Sequence, residues 1–175
     1  LWVGVTDCMS GTPLYFSQAE QGDATMALFR ATCALPVLSR PVHLGELVLM
    51  DGGVSDPIPV QRSVADGNRR HVIVLTQPKG YIKEPTRGAW LAQVRHRGLP
   101  GLHRALAFRH EVYNLSMAMV EHLERYGHAF VIRPEVTLGV GRICRDRAKL
   151  ESLYDQGMAT AEALVPSLEA FLGTP

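Results

Sequence analysis

The chain has 175 residues, 46% of them hydrophobic and 20% charged, and its 18 basic and 17 acidic side chains leave a formal charge of +1. That length and apolar content suit one ordinary globular domain and exclude a disordered or fibrous protein. The balanced charge supplies no whole-molecule field for gathering nucleic acid, so no nucleic-acid partner is expected.

Leu1 to Thr6 and Leu14-Tyr15-Phe16 read as two short strands around the turn formers Ser10-Gly11-Thr12-Pro13, which predicts a β-hairpin. From Asp23, Met26, Ala27 and Phe29 lead at helical spacing into Ala31-Thr32-Cys33-Ala34; Asp23 is the expected cap and Pro36 the stop. Leu47 to Met50 is an apolar run without alternation, as in a strand covered on both faces, and Asp51-Gly52-Gly53 stands at its carboxyl end. Asp56 followed by Pro57 predicts the start of a helix. His71 to Thr76 is a third strand, and the order strand, helix, strand suggests a largely parallel sheet. Residues 77 to 101, rich in Gly and Pro, form an irregular excursion with a short helix near Trp90 to Val94. Leu102 to Tyr126 is a long helix that Gly127 ends, Ala129 to Ile132 a last strand, and Asp146 to Leu172 a helix kinked or broken at Pro166.

Chemistry concentrates between Ala34 and Val60. A buried strand ending in Asp-Gly-Gly puts a carboxylate at the rim of a sheet, where ligands bind in open α/β folds. Two glycines after it permit a sharp turn and close approach of a substrate. The plainer reading is that Asp51 only accepts backbone hydrogen bonds in a tight turn.

Ala31-Thr32-Cys33-Ala34-Leu35-Pro36, Pro41-Val42, and the run from Val48-Leu49-Met50-Asp51-Gly52-Gly53 to Val60 together resemble the second half of a patatin-like phospholipase domain. Leu1 to Ser17 resembles the hairpin that precedes it. Arg109-His110-Glu111-Val112-Tyr113-Asn114 and the tail from Phe130 to Phe171 resemble the C-terminal extension of a bacterial subgroup. The resemblance implies a three-layer α/β/α fold and a lipid acyl hydrolase that cleaves carboxylic esters of phospholipids or acyl lipids by a Ser-Asp dyad. Asp51 matches the proton acceptor, and Gly52 and Gly53 complete its motif. Carboxylates are weak bases, so close placement and strong oxyanion stabilisation must compensate. No cofactor is implied.

The family nucleophile belongs in G-x-S-x-G at a strand-to-helix elbow, and no such motif lies between Leu1 and Pro175. Ser10 falls in a hairpin turn and Ser116 in a helix; Ser17, Ser39 and Ser55 lack the flanking glycines. The expected arrangement is therefore residues 1–78 as the C-terminal part of the hydrolase domain, 79–101 as a loop segment and 102–175 as a helical extension with one strand. The nucleophile elbow lies in a missing N-terminal half, the natural partner of this one. Alone, the chain is expected to be inactive and to associate through open strand edges and apolar surface. The alternative is a catalytically inactive fragment or interaction module.

Other features stay secondary. His96, His103 and His110 lie on or just before the long helix, but without site spacing no metal is expected. From Pro85 to His110 there are five arginines (Arg87, Arg95, Arg97, Arg104, Arg109) and no acid, interleaved with Trp90, Leu91, Leu99 and Leu102. That segment either touches an anionic membrane surface or is a solvated loop whose arginines pair within the fold. Asp7 reads as a turn cap. Cys8, Cys33 and Cys144 suggest neither a disulfide framework nor zinc, and a cytoplasmic setting, peripheral to a membrane if the arginine segment binds one, is expected.

Overall fold

The computed structural model describes residues 1–86, 88–137, 139–141 and 144–173, without the side chains of Gln21 and Ala89. It is a mixed α/β structure of helices and small sheets with two compact units, Leu1–Arg62 with Lys83–Met119 and Ser63–Ile82 with Val120–Pro175. The units interleave along the chain, each taking two separate stretches of it.

In the first unit, β1 (Trp2–Asp7) and β2 (Pro13–Ser17) form the expected antiparallel hairpin, with Val5 opposite Leu14. After α1 (Gln18–Gln21) and a 3-10 turn at Gly22–Ala24 comes α2 (Thr25–Thr32), shorter than the sequence suggested at both ends. Asp23 is not its cap; Ala24 holds that position with no side-chain bond. Beyond the helix end at Thr32, the Ala34 carbonyl accepts the Asp51 N–H at 3.2 Å.

β3 (Val42–Leu44), not anticipated, turns through Gly45-Glu46 into β4 (Leu47–Asp51). Gly45 has φ +57°, the left-handed conformation a two-residue hairpin loop favours. The sheet order is β2-β1-β4-β3, and every pair is antiparallel. This corrects the expectation of a largely parallel sheet. Strand, helix, strand implies a parallel crossover only when both strands join one sheet. Here β5 (His71–Val74), which follows α3 (Val60–Ala65), pairs with β6 (Ala129–Ile132) and not with β4.

The expectation that β4 is covered on both faces holds. Leu49 and Met50 point to opposite sides, as successive strand residues must, and both are fully buried. Leu49 packs with Val3, Val5 and, from α2, Leu28 and Ala31. Met50 packs with Cys8, Ala34, Val54, and with Ala92 of α4 (Ala89–Arg95) and Leu102 and Leu106 of α5 (Pro100–Arg125). Each buried Val, Leu or Met among them contributes roughly 1.5–3 kcal/mol.

The start of α5 meets the β1–β2 turn backbone to backbone. Leu102 N–H donates to the Cys8 carbonyl at 2.9 Å. A side chain at Gly101 would strike the Met9 carbonyl and Gly11 nitrogen, and one at Gly11, where φ is +76°, would strike the Gly101 carbonyl. Gly127, with φ +73°, follows the helix end as expected.

In the second unit β5 and β6 run parallel, His71 opposite Ala129. α6 (Arg147–Gly173) packs on β6, with the Phe130 and Phe171 ring centroids 5.8 Å apart and the Arg70 guanidinium 4.4 Å above Phe171. α6 passes through Pro166 as one helix, not two, and none of its residues is fully buried. No described helix is long and apolar enough to cross a membrane.

Candidate functional site: the Asp-Gly-Gly turn

Asp51 ends β4 and caps a 3-10 turn at Gly52–Val54. Its Oδ1 accepts the Gly53 N–H at 2.8 Å. Among the described residues nothing donates to Oδ2, and no serine hydroxyl is bonded to the carboxylate. Asp51 itself is half-buried.

The turn is tied down from two sides. Fully buried Thr6, on β1, donates from Oγ1 to the Asp51 carbonyl at 2.7 Å and shares a hydrogen bond with the Ser55 hydroxyl at 2.8 Å. Buried Gly52 lies directly on β1, where a side chain would strike the Gly4 carbonyl and Val5 nitrogen. Its carbonyl accepts from Ser55 N at 3.2 Å and Asp56 N at 2.9 Å. From α5, Arg109 Nε donates to the Gly53 carbonyl at 2.6 Å. The two glycines thus serve different needs: Gly52 permits contact with β1, and Gly53 leaves room beside the carboxylate.

Asp56 does not cap a helix. α3 starts only at Val60, since the residues before Pro57 and Pro59 are both pushed away from helical conformation. Asp56 instead accepts the Tyr15 hydroxyl from β2. Burial, and then this bond to Asp56, hold the Tyr15 hydroxyl above the usual phenol range. Asp7 does cap the hairpin turn, accepting from Met9 N and Ser10 N, each at 3.1 Å. Burial alone would raise its carboxyl, but the Ser10 hydroxyl and these two N–H groups together lower it below the ordinary 3.8.

The serines stand where the sequence put them: Ser10 bonds Asp7 and Thr12 within the turn, and Ser116 is buried in α5. Burial, reinforced by the Asp7 charge, pushes the Cys8 thiol up to about 12, so it is no thiolate nucleophile at neutral pH. Cys33 is exposed. His96 bonds the Pro36 carbonyl through Nε2 at 2.6 Å, and no group of three metal-ligating side chains occurs among the described residues.

The arginine segment divides. Arg87 lies outside the described residues. Arg104 binds the Ser10 carbonyl and Arg109 the Gly53 carbonyl. Leu102 is in the core and Leu99 packs against it, whereas Trp90 and Leu91 are exposed.

Thr6 and Arg109 are the residues that sequence reasoning missed at the turn. Nothing around Thr6 signals its role. Arg109 belongs to the Arg-His-Glu-x-Tyr-Asn run, and two residues of that run bond backbone elsewhere: Arg109 the Gly53 carbonyl at 2.6 Å, and Asn114 the backbone of Lys83 at 2.8 and 3.1 Å.

Comparison with known families finds a match to a domain of unknown function (DUF6363) over residues 99–173. The matched stretch contains α5, β6 and α6 and stops short of Asp51. No curated protein matches the chain.

Proposed function

We propose that this chain carries the aspartate half of a Ser-Asp dyad in a lipid acyl hydrolase similar to patatin-like phospholipases. Asp51 is the proton acceptor, and the nucleophilic serine lies outside these 175 residues. The observation that carries the reading is the Asp51 carboxylate itself. A buried strand delivers it, Oδ1 is fixed by the Gly53 N–H, and no described group donates to Oδ2. Helices on both faces of β4, from α2 on one side and α4 and α5 on the other, also agree with the layered patatin-like fold that we infer.

In this scheme the serine hydroxyl passes its proton to Asp51 as its oxygen attacks the ester carbonyl. The proton goes on to the departing alcohol, leaving an acyl-serine. A water molecule then gives a proton to Asp51 and attacks the acyl group, and the serine leaves with that proton restored. The substrate is an acyl lipid; exposed Trp90 and Leu91 beside Arg95 and Arg97 supply a peripheral contact with an anionic lipid surface.

The test is hydrolysis of a p-nitrophenyl acyl ester. The 175-residue chain should be inactive. A polypeptide extended by the sequence encoded upstream of Leu1 should be active and lose at least ~100-fold in kcat on Asp51→Asn, the upper part of the usual range for a general base. Asparagine keeps an acceptor for Gly53 N–H, so the turn persists. Hydrolysis by the short chain that Asp51→Asn abolishes, or an extended protein indifferent to Asp51→Asn, overturns the proposal.

A second reading has one observation in its favour: the bond from Gly53 N–H to Oδ1 is also what a purely structural turn aspartate makes. Asp51 would then be a cap in an inactive fragment or interaction module. An extended protein without esterase activity, in which Asp51→Ala lowers stability, is the outcome it requires.

A further inference from the structure

Of the three residues in the Asp-Gly-Gly turn, β1 secures two. Thr6 holds the Asp51 carbonyl, and Gly52 rests on the backbone of Gly4 and Val5. Gly53 has no such support. It lacks a side chain to pack, and glycine is the residue with the widest range of backbone conformations. Among the described residues its carbonyl is held from α5 alone, by Arg109 Nε at 2.6 Å, while its N–H holds Asp51 Oδ1 at 2.8 Å.

We infer that Arg109 is a positioning residue for the Asp51 carboxylate, acting through the Gly53 backbone; this rests on the dyad reading given above. The guanidinium fixes the peptide after Gly53, and Gly53 in turn fixes the carboxylate oxygen. The space a Gly53 side chain would occupy shows how close the three groups are. It is bounded by Asp51 Oδ1 at 3.2 Å and by Arg109 Nη2 at 3.8 Å, so carboxylate and guanidinium flank the same glycine hydrogen.

Arg109 is itself well placed to act as an anchor. Leu102 and Leu106 stand seven and three residues before it on α5, on the same helical side, and both are buried against Met50 and Val54. The helix that presents the guanidinium is therefore packed on the strand and turn that present the carboxylate. A guanidinium also stays charged at every working pH, and its planar fork makes directional, charge-assisted hydrogen bonds. Lysine has the charge but not the fork.

Two measurements separate this inference from the dyad reading. The first needs only the 175-residue chain: amide hydrogen exchange of Gly53 by NMR in the wild type, Arg109→Gln and Arg109→Lys. Gly53 should lose at least ~10-fold in protection in Arg109→Gln and less in Arg109→Lys, since a freed turn opens locally without global unfolding. The Ser10 amide, held by Asp7 within the hairpin, should be unchanged in both and reports that the fold is intact. The second is ester hydrolysis by the upstream-extended protein. Arg109→Gln should lower kcat by ~10- to 100-fold with KM little changed, the scale of a misplaced catalytic group, and Arg109→Lys should recover part of it.

Unchanged Gly53 exchange in a folded Arg109→Gln chain overturns the inference whatever the activity. If Arg109→Gln does not fold, Arg109→Lys carries the same test, and wild-type Gly53 exchange and kcat in that variant overturn it. Activity indifferent to Asp51→Asn removes the dyad reading instead, and a changed Gly53 exchange would then make Arg109 a structural clamp on the turn and overturn its catalytic role.

Discussion

The Asp-Gly-Gly turn and helix α6 are opposite solutions to holding a segment in place. The three residues of the turn are held by backbone contact with β1, a hydroxyl bond from Thr6 and a guanidinium from α5. The 27 residues of α6 include no fully buried side chain. Leu153, Leu164, Leu168 and Phe171 are half-buried, and Leu150, Tyr154, Met158, Val165 and Leu172 are exposed on the adjoining face. Tolerance to substitution should therefore differ more between these regions than their lengths suggest. Trp2 and Trp90 both belong to the first unit, so tryptophan fluorescence in urea reports on the unit that holds the turn.

The largest effect is expected at Gly52. A single methyl group there meets the Gly4 carbonyl and Val5 nitrogen, and neither is the end of a side chain that can swing away. Overpacking commonly costs 1–3 kcal/mol; against unyielding backbone, Gly52→Ala should cost about 3 kcal/mol or more, read as a fall in the urea midpoint. A variant as stable as wild type would show that β1 and the turn are not in contact, and the contrast with α6 would collapse.

Thr6→Val comes next. Valine fills the same volume but removes the hydroxyl bonds to the Asp51 carbonyl and Ser55 from a fully buried position. A cost of about 1–3 kcal/mol is expected, with the same fluorescence signal as the readout. Ser55→Ala loses only the hydroxyl partner and keeps its N–H bonds, so it should cost less. The reverse order would place the anchor of the turn at Ser55.

How far the sequence could be read follows from the kind of signal each element leaves. The β1–β2 hairpin, β4, α4, α5 and β6 were legible because apolar runs and turn formers are local properties. Gly127 was legible for the same reason. Strand pairing is not local, and the order of elements alone suggested a parallel sheet where β1, β2, β3 and β4 pair antiparallel. β3 had a local mark, Gly45-Glu46 as a two-residue loop, but three residues are too few to show a period. At the site, Asp51, Gly52 and Gly53 stood out as a contiguous motif. Thr6 is 45 residues away from Asp51 and Arg109 is 56 from Gly53, so their roles exist only once the chain has folded. Gly101 read as one more loop glycine, whereas its contact with Gly11 and Met9 makes it a seat for the β1–β2 turn.

The smallest effect on stability is expected in α6, at Tyr154 and Met158. Both are exposed, and neither makes a described ring contact or hydrogen bond. Replacing both with serine should change the unfolding free energy, followed by helical circular dichroism, by no more than about 0.5 kcal/mol, as for surface positions without a special role. Solution behaviour should change instead. The exposed face of Leu150, Tyr154, Met158, Val165 and Leu172 is a contiguous apolar stripe along the helix, and such stripes drive association when nothing covers them. The wild-type chain should elute in size exclusion with a concentration-dependent apparent mass, and Tyr154→Ser with Met158→Ser should reduce that dependence. A fall of several degrees in melting temperature would mean that these side chains are packed against something in the folded chain. α6 would then be held as firmly as the turn, by apolar surface instead of backbone contact.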